Sequence, residues 1–393
     1  MDRTYDVIVV GAGPAGSSCA KVLAENKVDV LVLEKHPVIG YPLCCAEALS
    51  LPFFSKYFDH NHRWISNYIH RVALFSPSGT KLEVSHPNCA VVLDRKIFDR
   101  DLALQASSRG AEVKVNSCAV GVLKKNEKEV YGVRVKQNGN EKNYYAKVIV
   151  CADGIESQTA KSAGIDTTLD LDQLDSCFQY LLGNIEIEPD RLEFHVGYDL
   201  APGGYAWVFP KGKDFANVGL AVTPALANGK KAKELLDQFV QKRFSRFSVI
   251  ETMVGAVPCF SRKSVLVKDN LLLVGDAGRL VDSLSGAGIA NAILSGITAG
   301  EIASEYIRNG HPLEFLKQYE KRFMEKKGRE LRFYSFLRKI YLKMKNDDFE
   351  TVVLFLKDYL KGKEVKGFDP IFLAQTILKS NPKLLSLLKY VIW

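Results

Sequence analysis

The hydrophobic pattern opens with a short apolar run, "YDVIVV" from Tyr5, followed at once by "GAGPAG". "SSCAKVLAENK" then has helical spacing and ends before a second apolar run, "DVLVLEK". This order predicts strand, glycine turn, helix and strand, the layout of a βαβ unit suited to a dinucleotide. A further helix is predicted at "RKIFDRDLALQASSRGA", then strand-like "EVKVNSCAVGVLKKN", "EVYGVRVKQ" and "KNYYAKVIVCADG". Between Ser176 and Val222 the pattern alternates and is rich in aromatics, which predicts a half-buried antiparallel sheet. "NLLLVGDAG" reads as a buried strand ending in a turn, and "GAGIANAILSGITAGEIASEYIRNG" as a long helix rich in small residues. From about Pro312 the chain reads as helices, with "DDF" and "KGKEVKGFDP" as connections.

Composition adds limits. A chain of 393 residues, 47% hydrophobic and 25% charged, is expected to be a soluble globular protein of two or three structural units. No basic leader precedes the first apolar run, and no uncharged stretch is long enough to span a bilayer, so the expected location is cytoplasmic. The eight cysteines form no CxxC pair, which points to reduced thiols and no metal site. Cys44 and Cys45 are the one unusual arrangement.

The net charge of +8 is concentrated in "KRFMEKKGRELRFYSFLRKIYLKMK", Lys321 to Lys345, where ten basic residues face only Glu325 and Glu330. Interleaved Phe323, Leu331, Tyr334, Leu337 and Ile340 make a basic amphipathic helix. Its charged side serves either as a solvated face or as a peripheral contact with an anionic membrane, residues 321-345, or with an acidic partner. No nucleic-acid motif accompanies the charge.

Gly11, Gly13 and Gly16 have the G-x-G-x-x-G spacing: one for the tight turn, one for close approach to a pyrophosphate, one for helix-strand packing. The helix that follows offers free N–H groups, from Ala15 onward, to phosphates. Glu34, at the end of the second strand, can accept both hydroxyls of an adenosine ribose. NAD and FAD both fit this unit.

The remote motifs decide between them. "CADGIES" (Cys151 to Ser157) and "LLLVGDAGRLVDSLSGAGIANA" (Leu271 to Ala292) resemble the DG and GD signatures of the FAD-dependent family that includes aromatic hydroxylases and geranylgeranyl reductases. Arg95 and Asp99 match that family's R-x-x-x-D helix start. The resemblance implies FAD, held by Asp153, Arg95 and Ala119 and, along its ribityl and pyrophosphate part, by Asp276. It also implies that the helix starting near Gly286, Gly288 and Ile289 points its N–H groups at the pyrimidine edge of the flavin, where reduction leaves negative charge. Only one dinucleotide fold is visible, so no separate NADPH domain is expected.

"APGGYAWVFPKGKDFANVGL" narrows the class. Tyr205, Trp207 and Phe209 alternate and would line one face of a strand, which alone is the mark of a sheet core as much as of a substrate wall. The stretch resembles the P-x-x-Y-x-W-x-F-P motif of archaeal geranylgeranyl reductases, with Pro202, Tyr205, Trp207, Phe209 and Pro210 matching. "CAEA", Cys45 to Ala48, resembles the same family's cysteine, small, acidic, small pattern. The resemblance implies a substrate cavity lined by Tyr205, Trp207, Phe209 and Pro210, catalytic roles for Cys45, Tyr205 and Trp207, and flavin contacts for Cys45 and Ala46. Cys44 is expected to be a packing residue, without a disulfide to its neighbour. Ser283, where the family usually has proline, and Ala287, which replaces a glycine, depart from the pattern.

The expected fold is α/β: a Rossmann-type FAD-binding domain (1-70, 90-165, 268-305) interleaved with an antiparallel-sheet substrate domain (71-89, 166-267), then a helical C-terminal domain (306-393). The expected activity is FAD-dependent saturation of C=C bonds in geranylgeranyl chains of membrane ether-lipid precursors. The alternatives are a flavin-dependent monooxygenase or halogenase and a nonenzymatic FAD-binding redox protein. The expected partners are an isoprenoid lipid and an electron donor, either reduced nicotinamide or a ferredoxin, and the chain is expected to be a monomer, peripheral on the membrane.

Overall fold

A computed structural model describes residues 3–59, 63–125, 130–261 and 263–361; most of the "KGKEVKGFDP" connection lies outside them. The chain divides into two compact units. The first takes the residues up to Leu43, Arg95–Leu169 and Pro258–Arg332, and the second takes Cys44–Asp94, Asp170–Val257 and the chain from Phe333.

In the first unit the strands Leu271–Leu273, Asn140–Cys151, Thr4–Val10, Val30–Leu33 and Glu112–Lys114 lie side by side in that order, and each neighbouring pair is parallel. Val7, Ile8, Val9, Val30, Leu31, Val32 and Leu33 are all buried, the near-continuous apolar run that a parallel sheet covered on both faces requires. Ser117–Lys124 and Val130–Gln137 extend the sheet from Asn140–Cys151 as an antiparallel meander. The stretch expected as one strand from Glu112 is thus two, because Asn116 takes a left-handed φ of 50° and turns the chain.

The helices Pro14–Glu25 and Ile289–Asn309 pack backbone to backbone. A Cβ at Gly296 would stand 2.1 Å from the carbonyl oxygen of Ala15, and one at Gly300 would stand 2.8 Å from that of Cys19. This close approach accounts for the small residues of the later helix.

The second unit is built on an eight-stranded sheet. Its strands run Ser248–Pro258, Leu174–Gly183, Phe215–Val222, Tyr205–Pro210, Arg191–Val196, Ile65–Phe75, Lys81–Leu93 and Ala48–Ser50. From Leu174–Gly183 onward the pairs are antiparallel except Arg191–Val196 with Ile65–Phe75, which is parallel. Ile65–Phe75 and Lys81–Leu93 belong wholly to this sheet. Residues 44-70 and 90-94, expected in the cofactor domain, therefore sit in the second unit.

One sheet face packs Tyr180, Leu182, Val208, Val218 and Leu220 against Leu235, Leu236, Phe239 and Val240 of the helix Ala232–Arg243. The other face carries Ile69, Val92, Leu192, Trp207, Phe209 and Ala221, with Tyr205, Phe194 and Ala46 partly exposed beside them. Gly219 makes room for the indole there, since a Cβ would stand 2.2 Å from the Trp207 ring.

The C-terminal helices do not form a third unit. Helix Gln318–Tyr341 contains the dividing point, and helix Asn346–Leu360 packs Phe349, Val353 and Leu356 with Leu82 and Val196 of the second sheet. The "DDF" segment, expected as a connection, is the first turn of that last helix. Asp347 and Asp348 favour its positive end, and Asp348 accepts the Lys345 backbone N–H at 2.9 Å.

Candidate active site

The adenosine end of the predicted cofactor site lies within the first unit. Gly11 takes φ 102°, and a Cβ on it would stand 2.3 Å from the Ala152 carbonyl oxygen. At Gly16 a Cβ would stand 1.9 Å from the Gly11 carbonyl oxygen, whereas at Gly13 it would meet nothing within 4 Å. Two glycines are therefore required by the protein itself, and the third leaves open the space beside the turn. The helix from Pro14 has no side-chain cap and no acid in its first turn, so its N-terminal N–H groups and positive dipole are available to an anion.

The Glu34 carboxylate closes the loop. Oε2 accepts the Ala12 N–H at 2.9 Å and Oε1 accepts the His36 N–H at 2.9 Å. Gly11, Gly13, Glu34, Ala119, Asp153 and Gln158 line one cavity of about 190 Å3. Asp153 Oδ2 accepts the Thr159 N–H at 2.8 Å, while Oδ1 is buried with no hydrogen-bond partner. Burial raises the Asp153 carboxyl above its ordinary range, against the bonds from Thr159.

The remaining first-unit residues flank a second helix start. Arg95 holds Asp99 through two bonds, Nε–Oδ1 at 3.1 Å and Nη2–Oδ2 at 2.7 Å. Burial raises the Asp276 carboxyl, and the charges of Arg95 and Arg279 oppose that shift. A Cβ at Gly288 would stand 3.5 Å from Asp276 Oδ1, so this carboxylate lies at the start of the helix Ile289–Asn309. That helix too lacks a side-chain cap and first-turn acids. Gly286 takes φ 71°, and its N–H donates to the Asp282 carbonyl at 2.9 Å. Ser283 is buried and Ala287 exposed, so both departures fit within this loop.

Ala15 is buried under the helix Ile289–Asn309 as well as standing in the phosphate-facing turn. An open glycine turn, an unpartnered buried carboxylate oxygen and two uncapped helix starts fit FAD, which Gly13, Ala15, Glu34, Asp153 and Asp276 would hold.

Cys45, Ala46, Tyr205, Trp207, Phe209 and Pro210 all sit in the second unit. Trp207 and Phe209 are buried, and Tyr205 and Phe194 pack with them at ring separations of 5.2 to 6.4 Å. Pro210 takes the opposite strand parity, with Ala206 and Val208, and its carbonyl accepts Asn67 Nδ2 at 3.0 Å. It ends the strand rather than sharing the aromatic face.

Beneath the Cys45 turn lies a polar network that the sequence reading left out. Trp207 Nε1 donates to Gln179 Oε1 at 2.8 Å, and Gln179 Nε2 donates to the Cys45 carbonyl at 3.0 Å. Lys211 and Asn217 both bind the buried Glu47 carboxylate. Gln179 and Asn217 stand in alternating strands, and a polar residue in such a strand reads as a solvent-facing position. The available signal was Gln179 sharing the parity of Cys177 on an otherwise apolar face. None of the eight cysteines is in a disulfide, and Cys44, expected as a packing residue, is exposed, with its Sγ donating to the Val254 carbonyl at 2.9 Å beside Gly255.

Arg338, counted in sequence among the outward cations, points inward. It is buried, binds both oxygens of Asp175 at 2.8 and 2.9 Å and donates to the Asp172 carbonyl. Lys321, Lys326, Arg329, Arg332, Lys339 and Lys343 are exposed. No helix among the described residues is long and apolar enough to cross a membrane.

The glycine turn, Glu34 and the DG and GD carboxylates define an FAD-dependent oxidoreductase, and residues 6–179 match the FAD dependent oxidoreductase family. Residues 173–257, which carry the aromatic strand, match the geranylgeranyl reductase catalytic domain. The chain belongs to the digeranylgeranylglycerophospholipid reductase family. It is 39% identical over 390 residues to that reductase from Methanocella arvoryzae, covering 98% of each chain. It is 38% identical to the reductase of the same name from Methanosarcina acetivorans, over 98% of this chain and 95% of the relative.

Among solved structures, a geranylgeranyl bacteriochlorophyll reductase-like protein from Thermoplasma acidophilum superimposes with a TM-score of 0.92 at 30% identity, covering 99% of this chain and 100% of that one. A flavin-dependent brominase, TM-score 0.72 at 18% identity over 92% of this chain and 91% of its own, shares the fold alone.

Proposed function

We propose that this protein saturates the isolated double bonds of geranylgeranyl chains carried on a glycerophospholipid. The observation that carries the reading is the second unit's sheet face, where Tyr205, Trp207 and Phe209 form an apolar wall joined through Gln179 to the Cys45 turn. The relatives' shared name supports the same substrate class. Bound in its reduced form, FAD would supply the hydride, and with it the two electrons, that saturation of an alkene needs.

An isolated alkene has no carbonyl to take up charge, so the protein must supply a proton and keep water away. Trp207 and Phe209 exclude water from their face of the sheet. The Tyr205 hydroxyl and the Cys45 thiol are the polar groups proposed to orient the chain and hold the proton. Purified protein reduced without oxygen is expected to reoxidise its flavin on addition of a geranylgeranyl lipid. Reoxidation by air alone, with the lipid inert, would sink the proposal. Reduced nicotinamide or a ferredoxin is the proposed electron source.

The chain is proposed to meet its substrate as a monomer at an anionic bilayer surface. Lys321, Arg329, Arg332 and Lys339 fall within about a quarter of the helix circumference at 3.6 residues per turn, and all four are exposed. Each cation near such a surface is worth about 1 kcal/mol. Charge reversal at Arg332 and Lys339 together is expected to cut cosedimentation with anionic vesicles at least about tenfold. Equal sedimentation of variant and parent would remove the helix from the account.

A further inference from the structure

The turn Cys45–Glu47 is held from below at every residue. Glu47 is a buried non-glycine residue with φ 72°, a backbone conformation that side-chain-bearing residues adopt only when their surroundings impose it. The surroundings here are specific. The Glu47 carboxylate is bound by Lys211 Nζ and by Asn217 Nδ2, the latter at 2.7 Å, and its carbonyl accepts the Leu93 N–H at 2.9 Å. Asn217 Nδ2 also donates to the Ala46 carbonyl at 3.2 Å. With its side chain fixed downward and its backbone left-handed, Glu47 directs its N–H back to Cys45 Sγ at 3.2 Å.

We propose that the buried Glu47–Lys211 ion pair, with Asn217, is a positioning device for the Cys45 thiol. A glycine would adopt the same φ without strain, so the carboxylate serves as the anchor that the φ value alone does not require. Its charge is neutralised by Lys211, and the Glu47 N–H is left as the donor aimed at Cys45 Sγ. The Cys45 carbonyl is tied to Gln179 and through it to the Trp207 indole, so the same turn sets the thiol in register with the aromatic wall. Glu47, Lys211 and Asn217 are positioning residues, because they act on the thiol through the turn.

The functional meaning of this device rests on the reductase reading, but its test does not. In a Cys44→Ala background, Cys45 alkylation by iodoacetamide is followed across pH by peptide mass, and the rate near neutral pH is divided by each variant's own high-pH plateau. That ratio cancels differences in access and reports the thiolate fraction. Glu47→Gly is expected to lower the ratio about tenfold, and the near-isosteric pair Glu47→Gln with Lys211→Gln to restore it to within about twofold of the parent.

A Glu47→Gly ratio equal to the parent's overturns the proposal. Should Glu47→Gly fail to fold, Asn217→Ala, which removes the bonds to Ala46 and Glu47, is expected to lower the ratio at least about threefold. An unchanged ratio in that variant overturns the proposal equally. A protein that fails to reduce a geranylgeranyl lipid yet shows these ratios keeps the positioning device and loses the reductase reading.

Discussion

Gly13→Ala is expected to fold with the parent's thermal stability yet to be purified with little flavin, while Gly16→Ala loses both stability and flavin. The two positions lie three residues apart in one turn, and the protein treats them differently. A methyl at Gly13 meets no protein atom within 4 Å, so it can intrude only on what lies in the open space. If that space holds the pyrophosphate, the methyl removes the close backbone approach on which the N–H bonds depend. The expected loss of FAD affinity is on the order of 100-fold, or about 3 kcal/mol.

At Gly16 the methyl would sit 1.9 Å from the Gly11 carbonyl oxygen, backbone against backbone, with no rotamer to relieve it. Helix and strand must separate, at a cost of about 1–3 kcal/mol typical of overpacking. Thermal melts of the apoproteins with flavin titration by fluorescence quenching read both effects. A Gly13→Ala protein that binds FAD as the parent does would place the pyrophosphate elsewhere.

Glu193→Ala is expected to cost about 3–5 kcal/mol of folding stability, the range for a buried charge left without its partner. Glu193 is 1% exposed and accepts Arg191 Nη2 at 2.8 Å and Arg243 Nη2 at 3.1 Å, with His195 Nε2 3.1 Å from Oε2. Burial alone would raise this carboxyl, but hydrogen bonds from His195, Arg191 and Arg243, with the charge of Arg243, overcome it and bring it from 4.5 to about 2.

A carboxyl depressed in the folded state stabilises the fold above its unfolded value and loses that contribution as pH falls. The contribution is about 3 kcal/mol, present in full above about pH 5 and lost between there and about pH 2. Denaturant midpoints measured across this window should fall for the parent and fall less steeply for Glu193→Gln, whose remaining slope comes from other depressed carboxyls such as Glu83 and Asp190. Parallel pH dependence in both would remove Glu193 as the cause. Because Leu192 and Phe194 on the same strand face the aromatic wall, loosening this cluster also disturbs the packing of Trp207 and Phe209.

How much of this was visible in the chain differs between the two units. Gly11, Gly13, Gly16 and Glu34 were legible because one local segment supplies strand, turn, helix and acid, and their spacing is a geometric requirement of close backbone contact. The alternation of Tyr205, Trp207 and Phe209 was legible as one strand face for the same local reason. Which other strands complete that face was not, since Ile69, Val92 and Leu192 reach it through pairings between distant segments.

The polar anchors were hidden more deeply. Gln179, Asn217 and Lys211 have no local spacing that relates them to Cys45, and only the paired strands place them beneath its turn. Arg338 shows the limit of charge counting: within a run of ten basic residues, it is itself buried and paired with the half-buried Asp175.

The central claim is that electrons from the reduced cofactor end on an isoprenoid double bond. Its most direct test is a single turnover of fully reduced protein with a geranylgeranyl glycerophospholipid under strict exclusion of oxygen, followed by the mass of the lipid. The account predicts a gain of two hydrogens per flavin reoxidised, roughly one saturated bond for each two-electron oxidation. A lipid of unchanged mass beside an oxidised flavin, or a product that carries oxygen or halogen once air is admitted, would contradict it.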